Sequence, residues 1–265
     1  RLSAKTIRNL FSMLHAAMEQ AVGNGLLLRN PCDFVQLPRV KQSEIQPLSD
    51  TEIAGLLSNV KGKRYGIAML LLIFGGFRLG ELLALRHSSL LESGGIWYLH
   101  VEYSLNRVTN FNRQQGEPKT ILRLGEPKSK RSRRDVPLPP QVLKALQEHM
   151  RRQKDEALSS FGLYDPDPFI IANELGGFID PTTFRTWFVH QVETAGIKRH
   201  IRVHDCRHTA ATLMLRAGAT SHEVALILGH SSSQVTEKFY LHPDLSDRAR
   251  AVRKLECTAD KFLID

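Results

Sequence analysis

Residues 67–86 read IAMLLLIFGGFRLGELLALR, and this run constrains the fold more than any other. Its apolar part, over 67–77, is too short to cross a bilayer, so it has to be buried inside a core built by the rest of the chain. The pattern predicts a buried helix on either side of the two glycines. It also brings Arg78 to a helix start, with Glu81 one turn on. A guanidinium there can direct its fork at a phosphate, helped by the helix N-terminus.

The chain around this run has 265 residues, enough for one large and one small domain. Ser3 can cap a first helix, with Ile7, Leu10, Phe11, Leu14, Met18 and Val22 at helical spacing and Gly23 and Gly25 to end it. An irregular stretch with Pro31, Pro38 and Pro47 follows. Ser49 and Glu52 then form a capping-box pattern. Two units are expected, a helical one over 1–45 with a linker and a larger one over 46–265. A chain that opens on Arg1 in the middle of a helix pattern reads as a fragment with a truncated first unit.

Beyond residue 90 the period changes from helical to alternating. Short strands are expected over 96–103, 120–124 and 134–138, and a brief extended piece over 169–173. Pro139 and Pro140 open another helix, and from Pro181 onward helix follows helix. The class is α+β, mostly helical, with a small antiparallel sheet. No internal repeat and no low-complexity tract is present.

A net charge of +9 and a pI of about 9.6 favour a polyanionic partner. The cysteines, Cys32, Cys206 and Cys257, are odd in number and far apart. They suggest neither a zinc site nor a disulfide framework, which fits a reducing cytosol.

Three further segments carry candidate chemistry. EPKSKRSRRDVPL, residues 126–138, gathers Lys128, Lys130, Arg131, Arg133 and Arg134 between two strand patterns, as at a basic hairpin tip suited to a nucleic-acid groove. VHDCRHTAATLML, residues 203–215, puts His204 and Arg207 on one helix face, where both can hold one phosphate. LGHSSSQVTEKFY, residues 228–240, sets His230 just past a helix closed by Gly229 and Tyr240 near the end of the next. Taken alone, the basic run can be a solvated charged turn, and the histidine and tyrosine segments are more simply read as core-edge rings beside a surface charge. Together they supply what metal-free phosphodiester transfer needs: a phenol to attack, fixed cations for the phosphorane, and a proton for the leaving oxygen. No acidic cluster with metal-ligand spacing is present, so the cations have to be side chains.

With these four segments in this order, the chain resembles the tyrosine recombinases, the phage and transposon integrases of bacteria. The resemblance runs from about Gln46 onward, and NPCDFVQLPRV with the first helix resembles the end of that family's core-binding domain. It implies the integrase catalytic fold. By position, Arg78, Arg207 and His230 would bind the phosphate. Lys128, with Lys130 as the other register, would protonate the leaving 5′ oxygen, and His204 would assist. Tyr240 would be the nucleophile. Lys119, Arg123, Lys130, Arg131, Arg133 and Arg134 would contact DNA.

The resemblance implies no cofactor and no metal. It implies a double-stranded DNA recombination site as partner, no membrane, and a cytoplasmic, nucleoid-associated bacterial protein. The tail over 245–265 would dock on a neighbouring copy and help hold a tetramer on DNA. Relaxation of one duplex, as by a type IB topoisomerase, and a DNA-binding regulator that never cleaves are the alternatives.

Overall fold

A computed structural model describes residues 2–40, 46–126 and 133–229, in two compact units, 1–44 and 45–265. In the first unit, Ser3 caps helix α1 (Ala4–Gly23) by accepting from the Thr6 amide, as its position predicts. A 3₁₀ turn over Pro31–Phe34 is tied to α1 through Asn30, whose amide donates to the His15 carbonyl and to Glu19.

The second unit opens on α2 (Asp50–Val60), closed at its start by the expected capping box of Ser49 and Glu52. The apolar run that follows is not one helix. It forms α3 (Gly66–Leu70), one π turn (Leu71–Gly75), a break at Gly76, and α4 (Leu79–Leu82). Gly76 has φ +64°, a left-handed conformation that costs any residue with a Cβ about 1–2 kcal/mol. That break turns the chain so that Arg78 becomes the N-cap of α4.

The sheet region is richer than its sequence pattern. Strands β1 (Leu90–Ser93), β2 (Ile96–Val101) and β5 (Arg134–Pro137) form one antiparallel sheet in the order β1-β2-β5. Strands β3 (Ser104–Thr109) and β4 (Thr120–Gly125) form a separate hairpin, with Asn106 opposite Arg123. Among the described residues, β4 pairs with β3 and β5 with β2, so these two consecutive strands are not paired with each other. The alternation was read correctly, but alternation alone does not name a strand's partner. Residues 169–173 make only isolated bridges, Arg86 to Phe169 and Ala172 to Phe178.

Helices α5 (Pro140–Leu158), α6 (Pro181–Thr194), α7 (Val203–Arg216) and α8 (Ser221–Leu228) complete the described unit. The core gathers Leu56, Met69, Leu71, Leu72, Leu82, Leu99, Val136, Leu146, Phe184 and Phe188, all nearly or fully buried. α7 lies against the π turn, and α4 against β3. The second contact needs Gly80. A Cβ there would stand 2.5 Å from Ser104 Oγ and 2.9 Å from the Leu105 carbonyl oxygen.

One clamp holds the entry to this unit. The Arg199 guanidinium donates to both oxygens of Glu52 and to the carbonyls of Gln46 and Pro47. The Leu48 amide donates to Thr209 Oγ1 on α7 at 2.9 Å. Hydrogen bonding from Arg199 outweighs the opposing effect of burial and lowers the Glu52 pKa from 4.5 to about 2. A carboxylate depressed on folding stabilises fully above its unfolded pKa and loses that contribution as pH falls through the folded value. The stability advantage of wild type over Glu52→Gln in urea titrations is therefore expected to be full near pH 6. It should shrink steadily as pH falls from about 4.5 toward 2. An advantage that did not change with pH would contradict the clamp.

Candidate active site

The site is built around the carbonyl end of α8. The last carbonyls of a helix have no partner inside it, and they carry the negative end of its dipole. In α8 three consecutive carbonyls each accept from an arginine of a different element. Ile227 accepts from Arg134 Nε at 2.6 Å, Leu228 from Arg207 Nη2, and Gly229 from Arg78 Nη2 at 3.2 Å. Gly229 ends the helix in the left-handed conformation, φ +64°.

Glu81 ties two of these arginines to each other. It lies one turn into α4, 2% exposed, and its Oε1 accepts from Arg78 Nη1 at 2.7 Å. Its Oε2 accepts from the Arg78 backbone amide at 3.0 Å and from Arg134 Nη2 at 2.8 Å. Burial by itself would raise the Glu81 pKa. The hydrogen bond and charge of Arg134, joined by the Arg78 amide and charge, outweigh burial and hold it below the ordinary value. Arg207, 2% exposed, also donates Nη1 to the Gly76 carbonyl at 2.8 Å. The break in the apolar run thus becomes part of the site.

His204 stands in the first turn of α7, one turn before Arg207, on the exposed side of the helix. Its ring meets the buried His208 ring edge-on, with centroids 5.0 Å apart. Loss of hydration, then the Arg207 charge, lowers the His204 pKa, and Arg78 adds to the effect. Burial and His204 push the His208 pKa down to about 4. Both shifts favour the neutral ring, and a neutral His204 can accept a proton or donate a hydrogen bond.

The structure thus brings Arg78, Arg207 and His204 together. Lys128, Lys130, Arg131, His230 and Tyr240 lie outside the described residues, as does the tail. Lys119 and Arg123 are exposed on one face of the β3–β4 hairpin, while Arg133 is a surface residue paired with Glu126 at 2.8 Å. Arg134 is a correction. Expected to contact DNA, it is 8% exposed and turned into the protein against Glu81 and the end of α8. The signal was available, because Arg134 alternates with Val136 and Leu138 and so shares their inward face.

Among the described residues, no three His, Cys, Asp or Glu side chains gather to hold a metal ion. Among them, too, no helix is long and apolar enough to cross a membrane. A cleft lined by Lys63, Arg64, His149, Arg152 and others shares no residue with this cluster.

Residues 39–246 match the phage integrase family, and the chain belongs to that family. A XerC-like tyrosine recombinase of Caldanaerobacter subterraneus subsp. tengcongensis is 32% identical over 96% of this chain and 66% of its own length. The integrase of Mycobacterium phage L5 is 28% identical over 95% of this chain and 63% of its own length. The chain therefore spans a little under two thirds of these curated relatives. Among solved structures, the Tn1549 transposon integrase in complex with circular intermediate DNA superposes with a TM-score of 0.72. That match has 22% identity over 96% of this chain and 81% of that one. A lambda integrase dimer bound to a core site gives 0.63 at 16% identity, over 91% and 75% of the two chains. At these identities the likeness is one of fold.

The cluster makes one position unusually intolerant. A Cβ on Gly76 would stand 2.3 Å from Leu228 Cδ2 and 3.2 Å from Ala210 Cβ, at a φ that disfavours any side chain. Gly76→Ala is expected to cost about 2–4 kcal/mol in urea unfolding, from backbone strain and overpacking together. A loss under about 1 kcal/mol would mean that the break is not tied to α7 and α8 as described.

Proposed function

We propose that the chain is the catalytic part of a site-specific DNA recombinase that cuts and rejoins strands through a 3′-phosphotyrosine, without metal or ATP. The observation that carries this reading is the convergence of Arg78 and Arg207 on the end of α8, immediately before His230, with His204 close enough to both guanidiniums to feel their charge. Two guanidiniums of fixed geometry suit the non-bridging oxygens of a phosphate undergoing in-line attack. Membership in the phage integrase family, and the DNA complexes solved for the Tn1549 and lambda integrases, support the same substrate class.

In this mechanism the Tyr240 oxygen attacks a DNA phosphorus while Arg78, Arg207 and His230 bind the phosphate. The bond from phosphorus to the 5′ oxygen breaks, and Lys128 protonates that oxygen. The phenol proton leaves with assistance from His204. A 5′-hydroxyl then attacks the phosphotyrosine, releasing the phenol and resealing a strand. Each step exchanges one phosphate ester for another, so no external energy source is needed.

The finer reading includes integration or excision of a mobile element in the bacterial cytoplasm. The unit over 1–44 would be the end of a DNA-clamping domain. Lys119 and Arg123, with Lys130, Arg131 and Arg133, would flank the duplex. The tail would dock on a neighbouring copy in a tetramer.

The test is covalent trapping with the full-length protein on a labelled duplex, nicked so that the released fragment diffuses away. The wild type is expected to give an SDS-resistant adduct in EDTA, and Tyr240→Phe none. Lys128→Ala is expected to slow adduct formation about 10²–10⁴-fold, the usual cost of a lost proton donor. An adduct that persisted in Tyr240→Phe would sink the nucleophile assignment. Adduct formation with relaxation but no strand exchange would favour the topoisomerase reading.

A further inference from the structure

Arg134 opens β5 with its side chain packed inward, in a position where a strand of this sheet carries apolar residues two and four places on, Val136 and Leu138. Burying a guanidinium costs several kcal/mol in lost hydration, and well-packed apolar side chains often serve stability as well or better. Stability alone therefore explains this residue poorly. Its partners say more. Nη2 donates to Glu81 Oε2 at 2.8 Å, and Nε donates to the Ile227 carbonyl at 2.6 Å.

Both partners lead to Arg78. Glu81 holds the Arg78 guanidinium at 2.7 Å and its backbone amide at 3.0 Å. Ile227 is two residues before Gly229, whose carbonyl takes the other Arg78 nitrogen at 3.2 Å. The contacts close a ring that runs from Arg78 to Glu81, Arg134, Ile227, Gly229 and back to Arg78. Arg78 is the most exposed of the three guanidiniums on α8, with 39% of its side chain accessible against 6% for Arg134. It is held by Glu81 and the Gly229 carbonyl yet remains partly exposed, the arrangement a phosphate ligand needs.

We propose that Arg134 is a positioning residue for strand cleavage. Through Glu81 and the Ile227 carbonyl it fixes the direction of the Arg78 guanidinium relative to the end of α8, and makes no phosphate contact itself. The assignment rests on the transfer reaction proposed above. Without Arg134, Glu81 keeps both bonds to Arg78 but loses its link to β5 and α8. The Arg78 fork is then held against the end of α8 by its own long bond to the Gly229 carbonyl, 3.2 Å, without the brace through Glu81, and can shift with α4. A displacement of about 1 Å at a reacting phosphate costs on the order of 100-fold in rate.

The test separates rate from binding. The probe is a duplex selected from a random-sequence pool by the wild-type full-length protein, then nicked to trap the adduct. Arg134→Gln is expected to lower the single-turnover rate constant at saturating DNA about 100-fold. Its dissociation constant and the slope of that constant against salt should stay within about twofold of wild type. Arg134→Lys should recover about tenfold, since an ammonium can face Glu81 but cannot also serve the Ile227 carbonyl with a planar fork. If Arg134→Gln does not fold, Arg134→Lys carries the test, with a smaller rate loss and the same unchanged binding.

Two results would overturn the proposal. One is weaker binding with a salt slope reduced by about one, the mark of a lost phosphate contact. The other is a wild-type rate constant with only a smaller reactive fraction, the mark of simple support for the fold. No adduct from wild type on the DNA it selected would instead overturn the transfer reaction, and this assignment with it.

Discussion

A single buried carboxylate organises the site. Glu81 holds one guanidinium from its own helix and one from a strand 53 residues away in sequence. Among the described contacts, Glu81 is the one carboxylate that meets Arg78 and Arg134, and cations in a region largely closed to water need compensation beyond it. The compensation is the unpaired carbonyl end of α8, where three successive oxygens each accept from a different arginine. A helix terminus thus supplies partial negative charge that is fixed in place and cannot be protonated. A second and third carboxylate would have neutralised the cluster and removed its attraction for an anion. Carbonyl dipoles hold the cations while leaving their charge in excess.

The same bonds explain why the site depends on the fold as a whole. Arg78 and Gly229 are 151 residues apart, and Arg207 and the Gly76 carbonyl 131. No local segment holds the geometry. The π turn and the left-handed Gly76 set the start of α4, α7 packs on that turn, and α8 closes over both, with Leu228 filling the space that a side chain on Gly76 would need. Gly80 allows β3 to approach α4 from its other side. The two close approaches that only glycine permits lie two residues on either side of Arg78.

Much of this was legible in the chain, because helix starts are written in a few local residues. Ser3, Ser49 with Glu52, and Pro140 each opened a helix where expected. The helix that carries His204 and Arg207 one turn apart also lies where the pattern put it. What stayed hidden was non-local. Alternation over 120–124 and 134–138 revealed strands but not that each pairs elsewhere, so the basic run read as a hairpin tip. The GG pair read as the neighbourhood of a helix start, while its role as a carbonyl acceptor for Arg207 required α7 to be in place. Arg134 was grouped with its basic neighbours by composition, although the two-residue period of its own strand pointed it inward.

That last case bears on how a basic chain's charge is to be read. A net charge of +9 suggests attraction to a polyanion, yet the count gives equal weight to arginines in very different positions. Arg199 with Glu52, Arg64 with Glu156, and Arg86 with Asp165 are ion pairs that contribute nothing to the excess. Arg134 and Arg207 are counted in it too, but both are turned into the protein, Arg134 against Glu81 and both against carbonyls. The charge that reaches outward among the described residues is carried by side chains such as Lys119 and Arg123 on the β3–β4 hairpin, and by the partly exposed Arg78. Exposed cations set how strongly and how salt-dependently a polyanion is drawn in. Held cations decide what happens to a phosphate once it arrives, because only a fixed charge stabilises a transition state without first reorganising. A single stretch of sequence, residues 123–134, contains both kinds, and burial rather than composition tells them apart.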